Sequence, residues 1–173
     1  MDSRANRPLP GDWAQLADLL EAEEAHYRRL LRLAWRQNSY MKRQDVDRLE
    51  ANAADWTRHL GPADAARIAR ERCCDALHRK VGSAARGVGP LLGHSSGTER
   101  TRLETGLAQL RRTAARLARQ NELNRHLAAF CIDLAREETR IFQDCVLDDP
   151  AGCYGRDARS ARRGAGGVIA RQA

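Results

Sequence analysis

Aromatic side chains are scarce in this chain: two Phe, three Tyr and three Trp make up 5% of it, against 31% charged residues. A thick globular core needs large apolar volumes, so a compact sheet-and-helix globule is excluded as the default, while helical seams built from Leu and Ala remain open. Lysine is nearly absent, with only Lys42 and Lys80, so the formal net charge of +7 is almost entirely arginine. The acids are interleaved with the arginines, as on a solvated helix surface. The positive balance therefore does not require a nucleic acid, whose phosphates are the usual partners of a basic surface, and nucleic acid is disfavoured as a partner. No apolar run approaches the roughly 20 residues of a membrane-spanning helix. A secretory signal is missing too, and five cysteines, an odd number, include the adjacent pair Cys73-Cys74. Together these features predict a reduced, cytoplasmic protein.

What is present is helical periodicity. Trp13, Leu16, Leu20, Glu23, Tyr27, Leu30 and Ala34 alternate steps of three and four, the spacing of a coiled-coil seam, and Leu31 and Trp35 widen it. Asp12, followed by Gln15, reads as the N-cap of this first helix, whose end falls near Asn38 to Lys42. Asp45 can cap a second helix on which Val46, Leu49, Ala53, Trp56 and Leu60 keep the rhythm. Gly61-Pro62 predicts a kink or short break, because proline removes an internal hydrogen bond. The pattern resumes through Ile68, Cys73, Leu77 and Val81. From Gly82 to Gly97, five glycines in 16 residues read as a flexible connection. Thr98 to Leu147 forms the longest pattern, about 75 Å if wholly helical, and ends before Pro150.

The expected fold is all-α: an elongated antiparallel bundle of three long helices, the second open to a break at Pro62, with flexible ends. Residues 1–147 make the helical domain, within which 1–11 is a disordered leader and 82–97 a flexible loop. Residues 148–173 are a flexible, arginine-bearing tail.

No catalytic or cofactor-binding constellation emerges. Gly82 and Gly87 have the separation of a phosphate loop, but Val88 stands where lysine is needed, and Gly87-Val88-Gly89 lacks the third glycine of a dinucleotide fingerprint. Glu23 and His26 have the spacing used in carboxylate-bridged metal bundles, which need the motif twice; it occurs once. Cys74 and His78 share a face without a second ligand pair at zinc spacing. Glu137-Glu138 reads as solvated surface. No enzyme activity, metal or cofactor is expected. Trp13 and Trp56 read as core, and Trp35 stands at the edge of its stripe, between core and partner anchor.

The third helix holds the most informative stretch, "RQNELNRHLAAF" (Arg119 to Phe130). Asn121 and Asn124, mediocre helix formers three apart, fall at seam positions after Leu103, Leu107, Leu110, Ala114 and Leu117. A second stripe of Leu123, Leu127, Phe130, Leu134 and Ile141 then takes over. A polar residue on a seam costs stability and specifies register or pairing. The asparagines accordingly mark a handover from an intramolecular stripe to one facing a partner, or else they simply point to water.

In order, "LADLLEAEEAHYRRLLRLA" (Leu16 to Ala34), "QDVDRLEANAADW" (Gln44 to Trp56), "NELNRHLAAFC" (Asn121 to Cys131) and "CYGRDAR" (Cys153 to Arg159) resemble the FlgN-type flagellar export chaperones. The resemblance implies a non-enzymatic cytoplasmic chaperone of the flagellar type III export system. Such a protein binds the helical terminal segment of hook–filament junction (hook-associated) proteins, prevents premature assembly and delivers them to the export apparatus. The expected partner-binding residues are Asn121, Leu123, Asn124, Leu127, Phe130, Leu134, Ile141 and Tyr154. An arginine-rich nucleic-acid-binding protein and a structural coiled-coil oligomer are the alternatives, and the oligomeric state stays open.

Overall fold

The computed structural model describes residues 8–144. The predicted helix end at Pro150, the tail, Tyr154, Cys145 and Cys153 lie outside the described residues. Three long helices, α1 (Pro10–Arg43), α2 (Val46–Val81) and α3 (Gly97–Phe142), account for most of the described chain, with a short 3₁₀ helix (Gly89–His94) between the last two. The chain is an all-α helical bundle. It divides into two units, Met1–Ala128 and Ala129–Ala173.

In the first unit, polar links between elements set the topology. Lys80 binds Asp12 at 2.7 Å, Arg70 binds Glu23, and the Asn52 amide donates to the Leu33 carbonyl at 3.2 Å, so α2 runs antiparallel to α1. On α3, Arg102 reaches Asp18 at 2.6 Å and Glu21 at 2.9 Å, Thr113 donates to Glu24 at 2.8 Å, and Asn124 donates to the Ala34 carbonyl at 2.7 Å. Both numbers rise together, so α3 runs parallel to α1, and the bundle is up-down-up. At Gly106, α3 comes close to α1: an added Cβ would meet the Leu20 Cβ at 3.5 Å.

The helix boundaries follow from local chemistry. Pro10 occupies the start of α1, where its missing N–H is no loss, and Leu9 is the N-cap. Asp12 is therefore not the cap expected from the sequence; it sits at the third helical position and accepts the Leu9 N–H at 2.8 Å. The expected leader correspondingly stops short of Gly11. Gln44 ends α1 in the left-handed conformation, its N–H and that of Asp45 closing on Met41 and Tyr40. Asp45 caps α2 as expected, accepting the Arg48 N–H at 3.2 Å. Gly82 ends α2 at φ +65°, which glycine adopts without steric cost.

Of the kink or short break expected at Gly61-Pro62 the structure shows no break: α2 continues from Val46 to Val81. Both residues and Arg58, whose carbonyl Pro62 leaves without a helical donor, lie on the exposed side, where water can satisfy that carbonyl. The connection between Gly82 and Gly97, expected as a flexible loop, contains a short 3₁₀ helix. This helix buries Leu91, and Val88 is buried beside it. Both join Trp13, Leu16, Leu20, Cys74, Leu77, Leu103 and Leu110 in one core, at the end of the bundle where α1 starts. The His78 ring nitrogen Nε2 holds the connection down through the Gly87 carbonyl, 2.8 Å away.

Burial thins along the bundle. At the other end α1 still buries Leu30, Leu31, Leu33, Ala34 and Met41, whereas the first half of α2 buries only Asn52 and Ala63. The ion pair between Glu23 and Arg70 lies between these regions, with the Glu23 side chain 2% exposed. Burial, and then the neighbouring Glu23 carboxylate, push the Tyr27 hydroxyl above its ordinary range. Removing one partner of a buried pair costs about 3–5 kcal/mol, because the other charge is left unpaired. Glu23→Ala is therefore expected to destabilise the fold by about that amount in urea unfolding, and Glu23→Leu combined with Arg70→Met to recover most of it.

Acid should weaken the same bundle. Lys80, and then the Leu9 N–H, hold the Asp12 carboxyl below its usual value of 3.8. Burial pushes Glu24 up, but hydrogen bonds from Arg28 and Thr113 outweigh it and leave Glu24 below its usual 4.5. Depressed carboxylates contribute stability above their unfolded values and lose it as pH falls through the folded ones. Urea midpoints are expected to drop between neutral pH and about pH 3, with a shallower drop in Lys80→Met.

Candidate functional site

Asn121 and Asn124 part company in the structure. Asn124 is 4% exposed and turned onto α1. Its amide nitrogen donates to the Ala34 carbonyl at 2.7 Å and the Gln37 side chain at 2.9 Å. Its oxygen accepts from Asn38 and Gln120, both at 3.0 Å. Asn124 is thus an intramolecular register pin, and its expected role as a partner contact is corrected: the polar groups of α1 already occupy it. Asn121 is exposed. The difference is one of register. Buried or half-buried positions of α3 recur every seven residues, Leu103, Leu110, Leu117 and Asn124 in one set and Gly106, Thr113, Gln120 and Leu127 in the other, and Asn121 stands one residue beyond the second set. Gln120, half-buried, takes the place expected of Asn121.

The second stripe falls partly in each unit. In the first, Leu123 is exposed and Leu127 half-buried. In the second, Phe130 is 64% exposed, and Ile132, Leu134, Ile141 and Phe142 are exposed as well. Phe130, Leu134 and Ile141 are spaced at four and seven residues and share a helix face. Nothing among the described residues covers them. Ile132 and Phe142 stand on other sides of the same helix. Their neighbours are charged: Arg140 pairs with Glu137 at 2.7 Å and Arg136 with Asp133 at 3.6 Å.

Of the two tryptophans expected in the core, only Trp13 is in it. Trp56 is half-buried, and Trp35 is 44% exposed with the Arg116 guanidinium 5.4 Å from its ring centroid. Among the residues weighed as metal ligands, Glu23 and His78 have other duties, while His26 keeps a buried Nδ1 without a partner among the described residues. Glu23 is committed to Arg70, and His78 to the Gly87 carbonyl. Burial pushes the Cys74 thiol up to about 11, so it is protonated and a poor nucleophile or ligand at neutral pH. Among the described residues no three His, Cys, Asp or Glu side chains gather in a metal-holding group, and no helix is long and apolar enough to cross a membrane.

The described residues form a three-helix bundle whose last helix presents exposed apolar side chains. Sequence comparison identifies the family: the family model of the FlgN protein matches residues 13–162, and the chain belongs to the FlgN family, a family of flagellar export chaperones. No curated protein and no solved structure gives a significant match.

The role of Asn124 can be measured. Asn124→Ala leaves the Ala34 carbonyl and three amide side chains without their shared partner, at a cost of about 1–3 kcal/mol. Asn121→Ala, on the exposed side, is expected to stay within about 0.5 kcal/mol of the parent. Equal losses at the two positions would contradict the assignment of Asn124 as the pin.

Proposed function

We propose that this protein is a cytoplasmic export chaperone for hook–filament junction proteins. It holds the helical terminal segment of the client, prevents premature assembly and hands the client to the type III export apparatus. Family membership supports the general role, and one observation supports the mode of binding. The exposed face of Phe130, Leu134 and Ile141 has the spacing by which an amphipathic client helix is read, with apolar anchors four and seven residues apart. An uncovered helical face binds without unfolding anything, and modest affinity suits a client that must be let go.

Client capture by this face has a specific signature. Phe130 and Leu134 are exposed, so new carboxylates there stay hydrated in the free protein. The double variant Phe130→Glu, Leu134→Glu is expected to melt like the parent. Calorimetric binding of hook–filament junction proteins encoded in the same genome should be weakened by about a hundredfold or more, as for loss of a central hot spot. A lowered melting temperature in the free variant would mean that these residues are core. Undiminished binding would place the client elsewhere, with Tyr154 the next residue to substitute.

A further inference from the structure

A different surface of the first unit carries charge of one sign. Between Glu24 and Asp45, α1 has no acidic residue, and it carries Arg28, Arg29, Arg32, Arg36, Lys42 and Arg43, all exposed. Between Glu104 and Glu122, α3 likewise has no acid, and it carries Arg111, Arg112, Arg116 and Arg119, also exposed. The parallel packing sets these two stretches side by side. Thr113 meets Glu24 at one end, Asn124 meets Ala34 at the other, and Arg116 reaches the ring of Trp35, the residue after Ala34. Positions 28, 32 and 35 lie on one side of α1, and 112, 116 and 119 on one side of α3. The contact of Arg116 with Trp35 shows that these two sides border the same groove. Of these ten basic side chains only Arg28 has a carboxylate partner among the described residues, its neighbour Glu24.

We propose that this groove docks an acidic helical segment of a partner protein. The chemistry is complementary: arginine forks accept carboxylates in bidentate fashion, and Trp35, half open and already holding one guanidinium, offers an apolar floor. Its extent argues for a short segment. From Arg28 to Arg43 the patch runs about 22 Å, equivalent to about four turns of helix. Carboxylates flank the part bordered by both helices, Asp18 and Glu21, bound by Arg102, at one end and Glu122, bound by Arg125, near the level of Ala34 at the other, and Asp45 follows the last arginine of α1. A long polyanion such as a nucleic acid would run past the patch onto these acids, whereas a segment of a few turns fits between them. The inference does not depend on the apolar face of α3 being the client site.

The probe is a synthetic helical peptide of about 15 residues with a glutamate stripe, titrated into the full chain at an ionic strength of about 0.15 M and followed by tryptophan emission and calorimetry. Binding should be saturable. The triple variant Arg32→Ala, Arg112→Ala, Arg119→Ala should weaken it by about tenfold. Removing the same charge elsewhere, in Arg72→Ala, Arg79→Ala, Arg86→Ala, should change it by no more than about twofold. If the first variant melts abnormally, Arg32→Glu alone gives a loss of the same sign from a fully solvated position. Three results would overturn the proposal: no binding by the parent, equal losses in the two triple variants, or tighter binding of a single-stranded oligonucleotide of equal charge. The last would assign the groove to nucleic acid.

Discussion

A shortage of bulky apolar side chains governs how far the three helices stay packed. At one end of the bundle four elements contribute to a continuous core, with Leu16 and Leu20 from α1, Leu77 from α2, Leu91 from the connection and Leu103 from α3. Further along, α1 continues to supply leucines, but α2 supplies little beyond Asn52, Ala63 and half-buried Leu49 and Trp56. Polar links take over the specification of register where apolar volume fails: the pair of Glu23 with Arg70, then the cluster around Asn124. Such groups specify one alignment and offer less net stability than the same volume of leucine. The functional consequence is immediate, since a helix that outruns its cover exposes whatever apolar side chains it still carries.

The fold was legible where periodicity was the signal. The seams of α1 and α3, the cap at Asp45 and the all-helical class all follow from spacing and capping chemistry. What was misread has identifiable causes. Pro10, the natural first residue of a helix, outranked Asp12 as a start signal. Pro62 reads as a break in isolation, yet a proline on the solvated side of a helix braced by a neighbour loses one hydrogen bond and no packing. The glycines between Gly82 and Gly97 masked the apolar residues among them, Val88 and Leu91, which needed burial somewhere.

The candidate site was legible in part. Exposure of Phe130, Leu134 and Ile141 could be anticipated from a stripe with no complementary stripe to meet it. The separate fates of Asn121 and Asn124 were missed because the apolar Leu107 and Ala114 drew the stripe onto the line of Asn121, one residue away from the line of Gly106, Thr113 and Gln120 that lies deeper in the bundle. Glu23 carried a readable signal that went unused: an acid at a seam position must find a cation, and Arg70 on the antiparallel neighbour supplies it. The arginine-only stretches were visible in the sequence as well, but their segregation was not, because it arises only when α1 and α3 lie parallel.

The composition of the core has a consequence for synthesis. Trp13, Leu16 and Leu20 emerge from the ribosome early, but the residues that cover them include Leu103 and Leu110, far along the chain. The α1–α2 hairpin can close as soon as Lys80 and Val81 are made, yet it leaves one side of its seam wet until the first turns of α3 arrive. A nascent chain passes through a stage with exposed seam leucines and a high density of arginine, in which non-native association is the main hazard. The connection from Gly82 shortens that stage: by placing Val88 and Leu91 on the hairpin before α3 exists, it seals part of the opening with the next few residues synthesised.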